Sequence, residues 1–331
     1  MKKNIILLIL FCLEGVLANA QDPIFTQYFM VPQTVNPAFT GFMESTSVGV
    51  MHRSQWPDAK LKINSDYAFL NTWSEGMESG FGISFLSQRE SFTNYNLSLV
   101  NASYAYRVQI SDYWYFHPAI EIGFGSKSYG FQNLVLEDQL NIGNGTTDPT
   151  SIDPLALNNK VNYFDVGAGV LFNNEECWIG ASLRHLNKPN ISFTTAGNLP
   201  LDMFFSVNAG YQLRFSDFLD SSFLPYNTKL MVTSNYMQQA KYNRLDIGLG
   251  LIFERVFFGA NAATNPAGNS VNNHFLTSVN PYFGIKYENF KVGYSYDINA
   301  SGIGRTGGIH EFSLLYQFDW EKKCVGCPEY Y

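Results

Sequence analysis

The chain's most regular feature is an alternation of apolar and polar residues with a period of two. Near the C-terminal end Phe312, Leu314, Tyr316, Phe318 and Trp320 alternate with Glu311, Ser313, Gln317 and Asp319. Side chains on an extended strand point to opposite faces in turn, so this pattern makes one face apolar and the other polar. Residues 204–216 repeat it, with Phe205, Val207, Ala209, Tyr211, Leu213 and Phe215 against Ser206, Asn208, Gly210, Gln212 and Arg214. Residues 245–253, 164–172 and 292–298 do the same and put Asp246, Asp165 and Asp297 on the polar face. The pattern predicts fourteen strands, near 45–54, 60–70, 78–88, 94–108, 113–129, 160–173, 177–186, 202–216, 223–237, 242–253, 256–264, 274–287, 290–299 and 307–320. Connections at 110–112, 174–176, 254–255 and 288–289 are tight and fall at one end of the strands; the long ones, 130–159 and 187–201, fall at the other. An even strand count with short turns at one end and long loops at the other predicts an all-β fold, a closed transmembrane antiparallel barrel.

Residues 21–41, QDPIFTQYFMVPQTVNPAFTG, do not fit the alternation. Pro23, Pro32 and Pro37 exclude a strand within a sheet or a helix interior. Ile24, Phe25, Tyr28, Phe29, Met30, Val31 and Phe39 still need burial. An irregular apolar segment ahead of a barrel is expected to pack inside it or against its periplasmic mouth. Asn36-Pro37 reads as a turn and Gly41 as the swing into the first strand. Gln27, Tyr28, Asn36, Pro37 and Gly41 are the candidate contact residues of the segment, and Arg53, Gln55 and Trp56 those of the wall.

Composition narrows the class. Of 331 residues, 16% are aromatic and only 15% charged, against roughly 25% charged in soluble domains. Residues 1–20 carry Lys2 and Lys3, an apolar core at 5–13 and Ala18-Asn19-Ala20, the pattern of a cleaved secretory signal. The apolar core is shorter than the roughly 20 residues of a spanning helix. An exported chain with few charges and no spanning helix leaves the closed barrel as its membrane architecture, because backbone groups in lipid must be satisfied internally. A secreted sandwich or propeller is the soluble alternative. The net charge of −7 argues against a nucleic-acid surface. The expected organisation is a signal at 1–20, an irregular plug-like segment at 21–44, an outer-membrane barrel at 45–320 and a periplasmic tail at 321–331.

QDPIFTQY (21–28) followed by NPAFTG (36–41) and RSQW (53–56) resembles the N-terminus of the PorP/SprF family. DVGAGVLF (165–172), WIGASLRHLNKP (178–189), GYSYD (293–297) and HEFSLLYQF (310–318) extend the resemblance over nearly the whole mature chain. It implies an outer-membrane protein of the type IX secretion system of Bacteroidetes, linked there to gliding. Such proteins assist export or surface attachment of a large adhesin-like cargo, and some contact the periplasmic ring of the system. The expected partners are therefore secretion components, a secreted cargo protein and membrane lipid. A barrel transporting small solutes or apolar molecules is the alternative.

Little in the chain points to catalysis. His52, His117, His185, His274 and His310 form no HExxH or other metal-ligand spacing, and alternation places His185 and His310 outward or at a rim. No short motif fixes a nucleophile, so no enzyme activity and no cofactor is expected. GRTGG (304–308) sits in a turn between strands, unlike a phosphate loop. The inward positions, among them Arg53, Lys62, Asp66, Glu121, Asp165, Arg184, Arg214, Asp246, Asp297 and Glu311, mix both signs. That mixture suits an ion-paired lumen supporting a plug better than a selective pore. Cys324 and Cys327 (CVGC) lack further zinc ligands and are candidates for a local disulfide in an oxidising compartment, with Cys177 left as the odd thiol. The tail that carries them is a periplasmic contact or a frayed end.

Overall fold

The computed structural model describes residues 22–130, 135, 137–141, 143–152, 159–194, 197–214, 228–267, 275–300, 306–318, 324 and 328. The proposed signal and most of the tail lie outside the described residues. Fourteen long strands form the wall: β1 Ser47–Gln55, β2 Ile63–Ser74, β3 Ser79–Glu90, β4 Asn96–Tyr106, β5 Tyr115–Ser128, β6 Lys160–Asn173 and β7 Cys177–Arg184, then β8 Phe204–Arg214, β9 Lys229–Gln239, β10 Tyr242–Phe253, β11 Val256–Thr264, β12 Leu276–Tyr287, β13 Phe290–Asn299 and β14 Ile309–Gln317. Each strand pairs antiparallel with its neighbours in sequence, and β1 closes the ring on β14 from Ser47↔Gln317 to Gln55↔Ile309. A two-residue strand, Val108–Gln109, prolongs the line of β4 and pairs with Phe116 and Tyr115. The closed fourteen-strand barrel agrees with the count and connectivity read from the alternation. No helix among the described residues is long and apolar enough to cross a membrane.

The connections 174–176, 254–255 and 288–289 join strand ends on the side of residue 46, as does the longer 215–228, and the two longest connections, 129–159 and 185–203, join strand ends on the other side. Outer-membrane barrels place short turns in the periplasm and long loops outside. That rule orients the wall. Outward side chains are apolar and exposed, including Ile120, Phe124, Phe164, Leu249, Phe283, Val292 and Phe312. Inward positions on the same strands, such as Glu121, Asp165, Asp246, Tyr282 and Glu311, are buried.

Five local readings change. Asp66 faces outward, where its carboxylate meets His52 Nδ1 at 2.7 Å across the β1–β2 pair. The β2 positions facing the lumen are Ser65, Tyr67, Phe69 and Asn71, because aromatic side chains are needed there against an apolar filling. His185 is buried inside the barrel, 2% exposed. It follows the last residue of β7 in a left-handed conformation, φ 59°, which ends the alternation and turns its ring inward. The ninth strand begins later than expected and runs on to Gln239, whose side chain still meets the lumen filling. Lys62 precedes β2, and Arg214, at the end of β8, is exposed.

Candidate functional site

The lumen is filled by residues 22–46. The segment starts at the outer mouth with Asp22, descends to Phe29, rises again to Gln33 and Val35, and descends through Asn36 to Glu44 before joining β1. A hydrogen-bonded turn, Met30 N to Gln27 O at 2.9 Å, makes the lower reversal, and two single 3₁₀ turns follow, Pro32–Thr34 near the upper one and Pro37–Phe39 on the second descent. Each proline takes a first turn position, where its missing N–H costs nothing. Asn36 caps the second turn, its Oδ1 accepting from Ala38 N at 3.0 Å. Its Nδ2 donates to Val170 O on β6 at 3.0 Å.

At the outer end the Asp22 carboxylate lies 2.8 Å from His185 Nε2, and Asp165 Oδ2 lies 2.9 Å from His185 Nδ1. Burial alone would depress the imidazole, but the two carboxylates raise it to about 9, so both ring nitrogens donate at neutral pH. Burial would likewise raise Asp22; the adjacent His185 charge and hydrogen bond outweigh it and hold the carboxyl at about 2. Asp22 N also donates to Gln239 Oε1 at 2.8 Å. The start of the segment is thus tied to β6, β9 and the end of β7 together.

Deeper in, the backbone N–H groups of Thr26 and Gln27 both donate to the Glu311 carboxylate, at 2.9 to 3.0 Å. Arg53 Nε donates to the same carboxylate at 3.0 Å, and all these groups are buried. Thr26 Oγ1 donates to Asp297 Oδ2 at 2.7 Å. The Gln27 amide is fully used: Nε2 donates to Glu311 O at 2.9 Å and Ser295 Oγ at 3.2 Å, and Oε1 accepts from Ser313 Oγ at 2.7 Å. Pairing of this kind offsets the cost of burying charges and amides. On the opposite wall Ser182 and Ser206 each donate to Val35 O at 2.7 Å, and Arg184 donates to Gln33 O at 2.7 Å.

Between the polar anchors the segment is aromatic. Phe29 packs on Tyr282, ring centres 4.4 Å apart, and edge-on to Phe257. Phe25 meets Tyr67 at 5.8 Å, Phe39 meets Phe42 at 5.3 Å, and Phe42 meets His117 at 5.6 Å. Enclosing each large apolar side chain is worth roughly 1.5–3 kcal/mol.

Close approach to the wall requires glycine. Gly41, at φ +68°, crosses Gly80 of β3 so tightly that a Cβ on Gly80 would collide with Thr40 O. Gly169 and Gly180 leave room for the Asn36 amide, and Gly293 for that of Gln27. At the periplasmic end Arg107 pairs with Glu44 and Glu78 and lies 4.8 Å over the Trp73 ring. Cys324 is disulfide-bonded, and its Sγ lies 3.2 Å from Phe42 O, beside the exit of the segment. Cys327, its sequence-expected partner, lies outside the described residues.

Of the expected contact residues, Gln27, Tyr28, Asn36, Pro37 and Gly41 lie within the lumen segment, Tyr28 with its hydroxyl 3.0 Å from Thr233 Oγ1. Arg53 reaches the segment through Glu311, and Gln55 accepts from Arg53 Nη1. Trp56 sits apart, in left-handed backbone beyond β1, with its N–H donated to Gly308 O at 2.9 Å. Sequence reasoning missed Asp22 and His185 as partners, and the inward glycines as a cradle. Glycines recurring at inward strand positions were the available signal for the cradle. Among the described residues no group of three or more His, Cys, Asp or Glu is arranged to hold a metal. The geometry is that of a seated plug.

Solved barrels resemble the chain at low sequence identity. A mutant Rh. blastica porin shares 10% identity over 82% of this chain and 99% of its own, with a TM-score of 0.34. A Pseudomonas aeruginosa FadL homologue shares 10% over 86% and 93%, TM-score 0.46, and the Pseudomonas putida toluene transporter TodX 8% over 90% and 93%, TM-score 0.45. No curated protein matches the chain. Residues 17–316, nearly all of the wall and the whole lumen segment, match the family described as type IX secretion system membrane protein PorP/SprF, and the chain belongs to that family.

Proposed function

We propose that this outer-membrane barrel assists the export or surface attachment of a large secreted, adhesin-like client, with the lumen segment as the part that meets client or machinery. It acts through contacts and carries no reaction of its own. Export by a cleaved signal at 1–20 and a link to gliding in a Bacteroidetes-like cell belong to the same reading. The family supports the secretion role. The observation that favours an interaction component over a solute channel is the seating of residues 22–46, hydrogen-bonded to the wall at Asp22, Thr26, Gln27, Gln33 and Val35 and packed on it through Phe25 and Phe29.

Deleting residues 21–41 while keeping 1–20 tests this reading. The barrel should still insert and remain heat-modifiable, while display of the client at the cell surface should fall at least tenfold. Normal display by the deletion would overturn the proposal. The intact protein should also be nearly silent in planar bilayers; steady open-channel current would favour the transport alternative.

A further inference from the structure

The outward face of the barrel is not uniform. On β5 the outward residues at 116, 118, 120, 122 and 124 are all apolar, and on β10 so are those at 245, 247, 249, 251 and 253. Strands tilted by about 40° gain roughly 2.6 Å of height per residue, so these runs cover about 20 Å of an apolar band roughly 25 Å tall. On β1 only Val48 and Val50 are apolar between Thr46 and His52, and on β2 only Ala68 and Leu70 between Asp66 and Thr72. Such runs cover about 5 Å. The polar residues that flank them are matched across the two strands. Thr46 Oγ1 meets Thr72 Oγ1 at 2.8 Å, His52 Nδ1 meets Asp66 Oδ1 at 2.7 Å, and Ser54 stands opposite Asn64. No outward residue at 46–54 or 64–74 is aromatic, so another sheet can approach this face closely.

We infer that the outward face of β1 and β2 is an interface between two copies of this chain, related by a two-fold axis along the membrane normal. The inference concerns assembly and stands apart from the client-assisting role proposed above. Hydrocarbon offers no hydrogen-bond partner, so polar and ionisable side chains within the band mark a contact other than lipid tails. An anionic headgroup would be repelled by the Asp66 carboxylate. A second copy fits because the face is its own complement. His52 on β1 and Asp66 on β2 lie side by side in one hydrogen-bonded row. A half-turn about the normal sets His52 of each copy against Asp66 of the other, as an isologous contact requires. Within one barrel the pair engages His52 Nδ1 and Asp66 Oδ1, and His52 Nε2 and Asp66 Oδ2 are the atoms that meet across the interface. Val50 and Leu70, 53% and 42% exposed, are left uncovered by the rest of the described chain and supply the apolar centre. In one barrel alone the His52–Asp66 pair is an exposed ion pair of little worth; its role lies between barrels.

The test uses the full-length barrel reconstituted in phospholipid vesicles, with Cys177→Ser to remove the free thiol and Val50→Cys as the reporter. A short bismaleimide should join two barrels into a covalent dimer, with at least fivefold higher yield than from Leu249→Cys on β10 at the same protein-to-lipid ratio. Adding Asp66→Arg, which replaces the acceptor by a cation, should cut that yield at least fivefold in a barrel that stays heat-modifiable. Asp66→Ala is the milder variant should the arginine prevent insertion. The exchange of His52→Asp with Asp66→His keeps the face self-complementary and should restore the yield. Equal yields from positions 50 and 249, or a yield unchanged by the Asp66 variants, would overturn the inference. No covalent dimer at any protein-to-lipid ratio would overturn it too, because lipid would then cover the face. So would linking of Val50→Cys, in whole outer membranes, to a different polypeptide in place of a second copy.

Discussion

The two faces of the same wall solve different problems. Outward, Ile120, Phe124, Leu249, Phe283 and Phe312 meet fluid hydrocarbon, which accepts any apolar shape. Inward, Asp297 and Glu311 hydrogen-bond to one particular peptide segment, Asp165 reaches it through His185, and Glu121 and Asp246 pair with Arg184 and Arg244. A change outside is therefore judged by polarity alone, while a change inside is also judged by volume and by which group loses its bond. The inner face is packed even at glycine: a Cβ on Gly248 would collide with Asn261 and Thr233. An arginine at that inward position would have to displace both side chains.

Glu311 offers the largest way to break the contrast. Glu311→Ala strands the buried Arg53 guanidinium and two backbone N–H groups, and should cost about 3–5 kcal/mol in reversible unfolding. Glu311→Gln keeps an acceptor and should cost clearly less. A loss below about 1 kcal/mol for the alanine variant would mean that the segment is not held there.

Next in size is a pair of substitutions that separates volume from polarity. Met231→Ala, 1% exposed and inside, should cost about 2–5 kcal/mol through the cavity it leaves. Leu249→Ala should cost less, because lipid chains close over the gap. Leu249→Arg should cost about 2–4 kcal/mol if the site lies near the bilayer midplane. Equal costs for the two alanine variants, measured in lipid vesicles, would erase the distinction between the faces.

A smaller effect follows from pH. The raised His185 contributes fully below its ordinary value of 6.5 and progressively less as pH climbs through about 9. The lowered Asp22 contributes fully above its ordinary 3.8 and less as pH falls through about 2. The stability difference between the native protein and His185→Gln should thus be greatest between about pH 4 and 6.5 and shrink by pH 10. A difference independent of pH across that range would show that His185 acts by shape alone.

The smallest change is expected at the exposed His52–Asp66 pair on the outer surface. His52→Ala should alter the unfolding free energy by less than about 1 kcal/mol. A larger loss would mean that this rim is not solvated.

What was legible in the chain follows from the same contrast. Lipid asks only that alternate residues be apolar, so strand count, closure and the outward set at Phe205, Leu249 or Phe312 could be read from the sequence alone. Glu311 could be recognised as inward, but its partners Thr26 and Gln27 lie 285 and 284 positions away, and no local pattern records that meeting. Asp66 was misplaced because an aromatic lumen reverses the usual rule of polar inside. His185 was misplaced because a single left-handed residue shifts the alternation by one. The prolines at 23, 32 and 37 did mark the segment that could not join the wall, and its apolar content marked it as buried.

The lumen segment touches both mouths, with Asp22 hydrogen-bonded near the outer loops and Glu44 paired with Arg107 near the periplasmic turns. The two compartments are therefore joined by some twenty residues of a single chain. A ligand outside whose affinity depends on how that chain is seated must change the affinity of whatever binds inside, and the inner ligand must change the outer one by the same factor. Such reciprocity needs no open passage through the barrel.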